Sequence, residues 1–403
     1  MLSRRIRLAA ALGFSGLFLY LFFCDVHPWL LVLALRDGGA LGPCLCTPKF
    51  DGARIAGALR GVGAGWWLLF LAALIQILHC ALRAWRWRIL LGPLKKDIGF
   101  HNLFSTVAIG YMISFVTPGR IGEVVRPVLL AGREKISKGG TLATVLLERL
   151  MDALTVAMLF ATYLIFFLGP AGGRGQEAAA GLDWRWGAAL GAAIVLSFPV
   201  LWAVVHYRRR VAGILSRVVP ETTRTGHAVH GVFHSIVDGF EVLKGARALA
   251  AAWGYSFLIW GIISFSIWFS VRAFGISIRP QDSLLMLGAL TFGIAIPTQG
   301  GVGTYEWFGQ QALTRFLGVE PSQAAAAVLV MHVFAISPVI LLGFYYLWKE
   351  RLSFSSLARG AAAEGAGAAA AEAAAGPVPD ADVGGPRGSA AAPGVKPAEG
   401  AGR

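Results

Sequence analysis

The chain has 403 residues, enough for two soluble domains, but 56% hydrophobic and 14% charged residues with a mean hydropathy of +0.64 place it among polytopic membrane proteins. A formal net charge of +14 does not by itself point to nucleic acid, because the basic residues sit in short loops beside apolar runs, where topology and anionic headgroups account for them. The four cysteines, Cys24, Cys44, Cys46 and Cys80, show no metal-ligand spacing and are assigned no role.

A spanning helix needs about 20 apolar residues. In chain order the runs that approach this are Leu8 to Phe23, extending to Leu35 in the longest reading, then Ala64 to Leu82, Leu142 to Leu168, Trp186 to His206, Leu249 to Val271 and Ala324 to Trp348. Met1 to Arg7 with the run behind it resembles a signal peptide, yet no small-x-small cleavage site follows near Cys24, so it reads as a retained first helix. Residues 1–350 form the expected membrane domain, and the Ala-, Gly- and Pro-rich residues 351–403 are expected to be a disordered cytoplasmic tail.

Two further apolar runs, Phe100 to Val116 and Leu284 to Ile296, each end in a break: Thr117-Pro118-Gly119-Arg120-Ile121-Gly122-Glu123 and Ile296-Pro297-Thr298-Gln299-Gly300-Gly301-Val302-Gly303-Thr304-Tyr305-Glu306. Proline removes backbone donors and glycine loosens the chain, so a lipid-facing helix cannot continue through either, and the freed groups need protein or water. Both share an order: Pro, Gly, an apolar residue, Gly, then an acid. If both segments turn back to the side they entered from, six helices cross and 26 of the 36 Lys and Arg fall on the side holding both termini, against 9 opposite, with Arg149 inside a span. The richer side is then cytoplasmic. The expected fold is an all-α polytopic membrane protein of about six spanning helices and two opposed re-entrant hairpins, arranged as in an inverted-repeat transporter with its site near the midplane. Eight simple spans with two Gly/Pro-rich loops are the alternative.

Charges inside apolar runs are candidates for function. Glu148 and Asp152 are i,i+4 neighbours that repel unless a cation or proton comes between them. At a helix centre each charge costs roughly 2.5–3.5 kcal/mol on insertion scales, so they should face a polar cavity or partners, unless they lie at headgroup level. Arg120 and Arg126 are the available cations; with Glu123 they recur every third residue, and a short helix after Gly119 would align them, two guanidiniums suiting a phosphate. Topogenic arginines are the plainer account. In the second break, Gly300, Gly301 and Gly303 leave backbone N–H groups open to a ligand at the start of a helix near Thr304, where Glu306 either caps that helix or pairs with a cation. Arg83-Ala84-Trp85-Arg86-Trp87 alternates as headgroup anchors do. His79 and His332 read as packed polar residues, with a proton relay as the other option. The 207–248 stretch, with Arg208 to Arg210 and an amphipathic Val232 to Leu243, suggests a surface-lying helix or a plain connection.

Four motifs in this order and spacing, Arg83 to Trp87, Pro118 to Glu123, Glu148 to Asp152 and Pro297 to Glu306, resemble the lysylphosphatidylglycerol synthase transmembrane-region family of flippase-like proteins. The resemblance covers roughly residues 5–350. It implies a multi-pass protein of the bacterial or archaeal cytoplasmic membrane; in bifunctional members this region flips an aminoacylated phospholipid made by a fused cytoplasmic transferase domain. Here only a short tail follows Trp348, so the resemblance carries no expectation of aminoacyl transfer.

The expected function is a lipid flippase or transporter acting on a phospholipid or polyprenyl-phosphate-linked lipid. Arg120 and Arg126 would hold the phosphate, and Glu123, Glu148, Asp152 and Glu306 would balance charge or bind a cationic headgroup or proton. Arg149, Gln299, Gly300, Gly301 and Gly303 complete the binding set. Membrane lipids are the expected partners, with a second copy or a lipid synthase as candidate protein partners; no nucleic acid, metal or cofactor is expected. Two other classes stay open: an intramembrane enzyme of lipid or glycolipid modification using Glu123 or Glu148 as base, and a non-transporting scaffold for a lipid synthase.

Overall fold

The computed structural model describes residues 12–13, 15–20, 22–25, 47–48, 52–117, 120–167, 185, 187–193, 196, 246–296 and 298–353. Pro118, Gly119, Pro297, most of the expected Trp186 to His206 span, the 207–245 stretch and the tail from 354 lie outside them. The helices discussed below are α1 (Gly52–Gly61), α2 (Trp66–Leu91), α3 (Phe100–Val116), α4 (Gly122–Glu134), α5 (Lys138–Phe167), α6 (Ala246–Arg272), α7 (Asp282–Ala295), α8 (Thr304–Gln311) and α9 (Pro321–Lys349), with a π turn at Ala312–Phe316. Residues 15–20 are also helical, and a two-residue antiparallel ladder pairs Cys24 with Pro48 and Asp25 with Thr47.

Among the described residues α2, α5, α6 and α9 are long and apolar enough to cross a membrane. The protein is a helical membrane protein whose long helices fall on four of the expected runs. One boundary differs: α2 does not end at Leu82 but continues through Arg83 to Leu91, because the charges that would stop a lipid-facing helix are paired inside the protein. At α9, Pro321 supplies a first-turn residue with no N–H to leave unpaired, and the Glu320 carboxylate accepts from the Gln323 amide at 2.8 Å.

Each broken segment is an antiparallel helical hairpin. In the first, α4 returns along α3: Gly122 lies against Gly110 and Ser114, Arg133 donates to Ser105 and Thr106 at 2.9 and 3.1 Å, and Asn102 near the start of α3 donates to Glu134 at the end of α4 at 2.8 Å. In the second, Gly293 of α7 packs on the Thr304 backbone, Gly309 of α8 on Leu290, and Phe316 of the π turn joins the cluster of Leu285. At 17 and 14 residues, α3 and α7 reach about 25 and 21 Å, short of a hydrocarbon core of about 30 Å.

The frame holding these hairpins is antiparallel. Gly65 at the start of α2 backs onto Ala273 beyond the end of α6, Gln76 donates to Ser266 at 3.1 Å, and Arg86 near the end of α2 donates to Ser256 near the start of α6 at 2.7 Å. The hairpins thus leave from opposite ends of the α2/α6 pair. Further contacts follow one rule: α3 packs on α9 and α7 on α5, while each returning arm packs on the helix after it, α4 on α5 and α8 on α9. The pairs persist when α2 to α5 are exchanged for α6 to α9. Small residues make the closest crossings, as helix association in lipid favours; Gly343 of α9 lies against Met112 and Ala108 of α3.

Candidate functional site

The ionic centre is assembled from five helices. From α2 come Arg83 and Arg86, one turn apart; from α4, Glu123 and Arg126; from α5, Glu148, Arg149 and Asp152; from α6, Ser256 and Trp260; from α3, Tyr111. Glu148 is fully buried and takes a two-pronged contact from Arg126 at 2.8 and 3.1 Å, with Arg86, Arg149 and Arg83 at 3.1, 3.2 and 3.4 Å. Asp152 receives Arg83 and Arg86, each at 2.6 Å, and the Trp260 indole N–H at 3.0 Å. The i,i+4 acids therefore share guanidiniums that offset their repulsion. Arg126 also lies over the Trp87 ring at 4.0 Å, and Arg149 donates to the Tyr111 hydroxyl at 3.0 Å.

Charge does not balance within this centre. Four arginines, 83, 86, 126 and 149, meet Glu148, Asp152 and the half-buried Glu123, whose carboxylate lies 3.5 Å from Arg149 Nε. Arg120, 3.7 Å from Glu123, raises the surplus to five arginines over three carboxylates. Donors are left over as well: among the described residues Nε of Arg83, Arg86 and Arg126 is buried without a hydrogen-bond partner, while Arg149 Nε and one terminal nitrogen of Arg86 make only the ion pairs with Glu123 and Glu148. Unpaired buried N–H groups on cations favour an anion or ordered water as neighbour.

Beside this centre is a cavity of 270 Å³. Arg83, Arg120, Arg149 and Asp152 line it, together with His79 and Gln76, and so do Tyr305 and His332 of the other half. On α2 the lining residues Ala72, Gln76, His79 and Arg83 form one face extending about 16 Å along the axis, roughly half a hydrocarbon core. Mostly apolar side chains of α6, α7 and α9, with Ser266, Ser270 and Thr291 among them, complete the wall. The volume is near the lower end of ligand pockets, about 300–1,000 Å³, which suits a polar headgroup better than a whole lipid.

The second break is satisfied within itself. Gly300, Gly301 and Gly303 adopt φ of +63°, +82° and +89°, a conformation that favours glycine. The Gly303 amide donates to Glu306 at 2.7 Å, so Glu306 caps its own helix; its other oxygen faces His332 Nδ1 at 2.6 Å, and His332 Nε2 faces the Gly300 carbonyl at 3.0 Å. Gln299 reaches across to the Val116 carbonyl of the first hairpin at 2.9 Å. Gln299, Gly300, Gly301, Gly303 and Glu306 do not line the cavity.

Several expectations need correction. Arg120 and Arg126 do not form one phosphate fork: the helix begins only at Gly122, Arg120 precedes it at φ +52° with its side chain 40% exposed, and Arg126 is buried on Glu148. Arg83, Arg86 and Trp87 do not face lipid as anchors would but are 3%, 0% and 0% exposed within the protein; Trp85 alone of that motif is outward, at 42%. Of the two expectations for Glu306, capping its own helix is the one observed, and it pairs with no arginine among the described residues. Cys24, assigned no role, is disulfide-bonded, whereas Cys80 is free and buried. Reasoning from sequence missed Arg83 and Arg86 as partners of the acids, and Trp260 and Tyr111 altogether; the one available signal was that 83 and 86, like 148 and 152, each fall on a single helical face.

Compared with known proteins, residues 9–343 match the family model described as Lysylphosphatidylglycerol synthase TM region. A UPF0104 membrane protein of Methanothermobacter thermautotrophicus is 25% identical over 297 residues, 68% of this chain and 83% of the relative. Glycosyltransferase AglD of Haloferax volcanii is 24% identical over 292 residues, 66% of this chain but 46% of that protein. A second UPF0104 membrane protein, from Methanocaldococcus jannaschii, is 33% identical over 99 residues, 24% of this chain and 29% of the relative. No solved structure gives a significant match.

Proposed function

The chain belongs to the lysylphosphatidylglycerol synthase TM region family, and from that premise we propose that it moves a phosphate-bearing lipid, a phospholipid or a polyprenyl-phosphate-linked lipid, across the cytoplasmic membrane. The observation that carries this reading is the arginine surplus beside the cavity: Arg83, Arg120 and Arg149 line it, with Asp152 as the single lining carboxylate among the described residues. An anionic headgroup would enter the cavity beside the guanidiniums of Arg83, Arg120 and Arg149 and leave its acyl chains in the bilayer. Arg126, Glu123 and Glu148 hold Arg149 and Arg83 in place rather than touch the lipid. The hairpins would be re-entrant, the first from the cytoplasm and the second from outside, as halves of an inverted repeat meeting at the tips. Both termini then lie in the cytoplasm, and the disulfide at Cys24 falls on the opposite, oxidising side.

The test is reconstitution of the full chain into vesicles carrying fluorescent anionic phospholipid, zwitterionic phospholipid or a phosphate-free diacylglycerol. Faster quenching of the inner-leaflet label for the phosphate-bearing lipids supports the reading. Rates equal to protein-free vesicles for every lipid overturn it.

A second reading is favoured by the glycosyltransferase name of one relative: an enzyme acting on a lipid-linked sugar, with Glu123, the half-buried acid beside the arginines, as base. New product in a lipid extract incubated with purified protein, lost in Glu123→Gln, would favour it over transport.

A further inference from the structure

Both ring nitrogens of His332 face oxygen atoms, Nδ1 to Glu306 at 2.6 Å and Nε2 to the Gly300 carbonyl at 3.0 Å. A neutral imidazole has one N–H and one bare nitrogen, and a carbonyl only accepts. Nε2 therefore carries hydrogen, and the short Nδ1 contact requires a second proton, on Nδ1 or on the Glu306 oxygen. Both contacts are hydrogen bonds at once only when the pair holds one proton more than a neutral histidine beside a carboxylate. We propose that Glu306 and His332 form a proton-binding site whose occupancy latches the tip of the second hairpin, and that the proton is the ion coupled to lipid movement.

The site is built for this. Both side chains are about 95% buried, at 5% and 6% exposure. The remaining Glu306 oxygen is fixed by the Gly303 amide, and Tyr305 stacks on the imidazole with centroids 4.2 Å apart. His332 also lines the cavity, which gives a proton a way in. When the shared proton leaves, one hydrogen must serve two acceptors, and either Gly300 or Glu306 is released. Gly300 is next to Gln299, which holds Val116 of the first hairpin, so release frees the junction of the two tips.

The first hairpin supplies the contrast. Glu123 stands in the first turn of α4 as Glu306 does in α8, and each reaches a basic residue 26 positions later, Arg149 and His332. Arginine keeps its proton under physiological conditions and histidine does not. One half is permanently charged and the other exchangeable. The titratable or charged groups around His332 are Tyr305 on the ring and, lining the shared cavity, His79 and Arg83 of α2, Tyr111 of α3, Arg120, and Arg149 and Asp152 of α5; the cavity faces of α6 and α7 bring none, and Arg60 of α1 and Arg315 of the π turn do not line it.

The proton site stands on the His332 geometry; its coupling role rests on the transport reading. For the site, nitrogen NMR of histidine-labelled full chain in lipid, assigned with His332→Asn, is followed from below to above the free imidazole value of about 6.5. A His332 signal that passes from doubly hydrogen-bonded to neutral, with the passage moved or removed in Glu306→Gln, supports it. A His332 signal unchanged with pH overturns it. For coupling, one pH unit imposed across vesicles should bias the lipid distribution up to about tenfold, and Glu306→Gln, whose amide can donate to Nδ1 and accept from Gly303 and so keeps the latch closed without a proton, should slow movement at every pH and lose the bias. Movement without bias in the wild type overturns the coupling and leaves the transport reading standing; no movement overturns both, while the NMR result still decides the proton site.

Discussion

Gln299 donates its side-chain amide to the Val116 carbonyl at 2.9 Å, and so joins the turns of two hairpins that start from opposite ends of the α2/α6 pair. In a re-entrant arrangement this contact lies between the two membrane faces. Single cysteines at four exposed positions test that placement. Gly99→Cys and Lys135→Cys, at the base of the first hairpin, should label from the cytoplasm; Ser277→Cys and Arg315→Cys, at the base of the second, should label from outside. Labelling of positions 99 and 135 from different faces would mean that the first hairpin crosses.

Glu148 is the shared acceptor of the arginine cluster, so its loss leaves buried guanidiniums uncompensated. Glu148→Gln should lower thermal stability in detergent by about 3–5 kcal/mol. Arg126→Leu combined with Glu148→Gln should cost less than the sum of the single changes, because the pair acts as a unit. Additive losses in that cycle would separate the two residues.

Glycines of α4 should respond with opposite sign. A β-carbon on Gly122 would overlap the Gly110 carbonyl and sit 2.7 Å from the Ser114 nitrogen, so Gly122→Ala must push α4 off α3, at the upper end of the usual 1–3 kcal/mol for overpacking. Gly132 has open space around it, and Gly132→Ala should stabilise the helix by roughly 0.5–1 kcal/mol. Unfolding midpoints of both variants check this.

Arg120 holds φ +52°, a region disfavoured for residues with a β-carbon by roughly 1–2 kcal/mol. Arg120→Gly should be more stable than Arg120→Ala by about 1 kcal/mol. Both remove the same guanidinium from the cavity wall, so both should lose lipid movement equally. Stability and transport would then separate, which a purely structural role for Arg120 does not allow.

Much of the frame was legible in sequence, and the reasons are local. Long apolar runs can satisfy their backbones only as helices, and the Pro and Gly clusters at 118 and 297 mark where those helices stop. Glu148 and Asp152 declared themselves because bare charges in an apolar helix need partners. Which partners was not legible: Arg83 and Arg86 lie 62 to 69 residues from the acids, and an Arg-Trp alternation reads the same at a headgroup boundary as inside a bundle. The second break misled for a related reason. Its glycines suggested an open anion cradle, but Glu306 and His332 fill the polar positions that a ligand would have used.

The central claim is that phosphate-bearing lipid passes the arginines of the cavity. Its most direct test is the rate of labelled-lipid movement in vesicles containing the wild type, the combined Arg120→Gln and Arg149→Gln variant, and Arg88→Gln, whose guanidinium lies over Trp85 away from the cavity. The account predicts loss of movement in the combined variant, with folding retained and Arg88→Gln behaving as wild type. Equal rates in all three would contradict it.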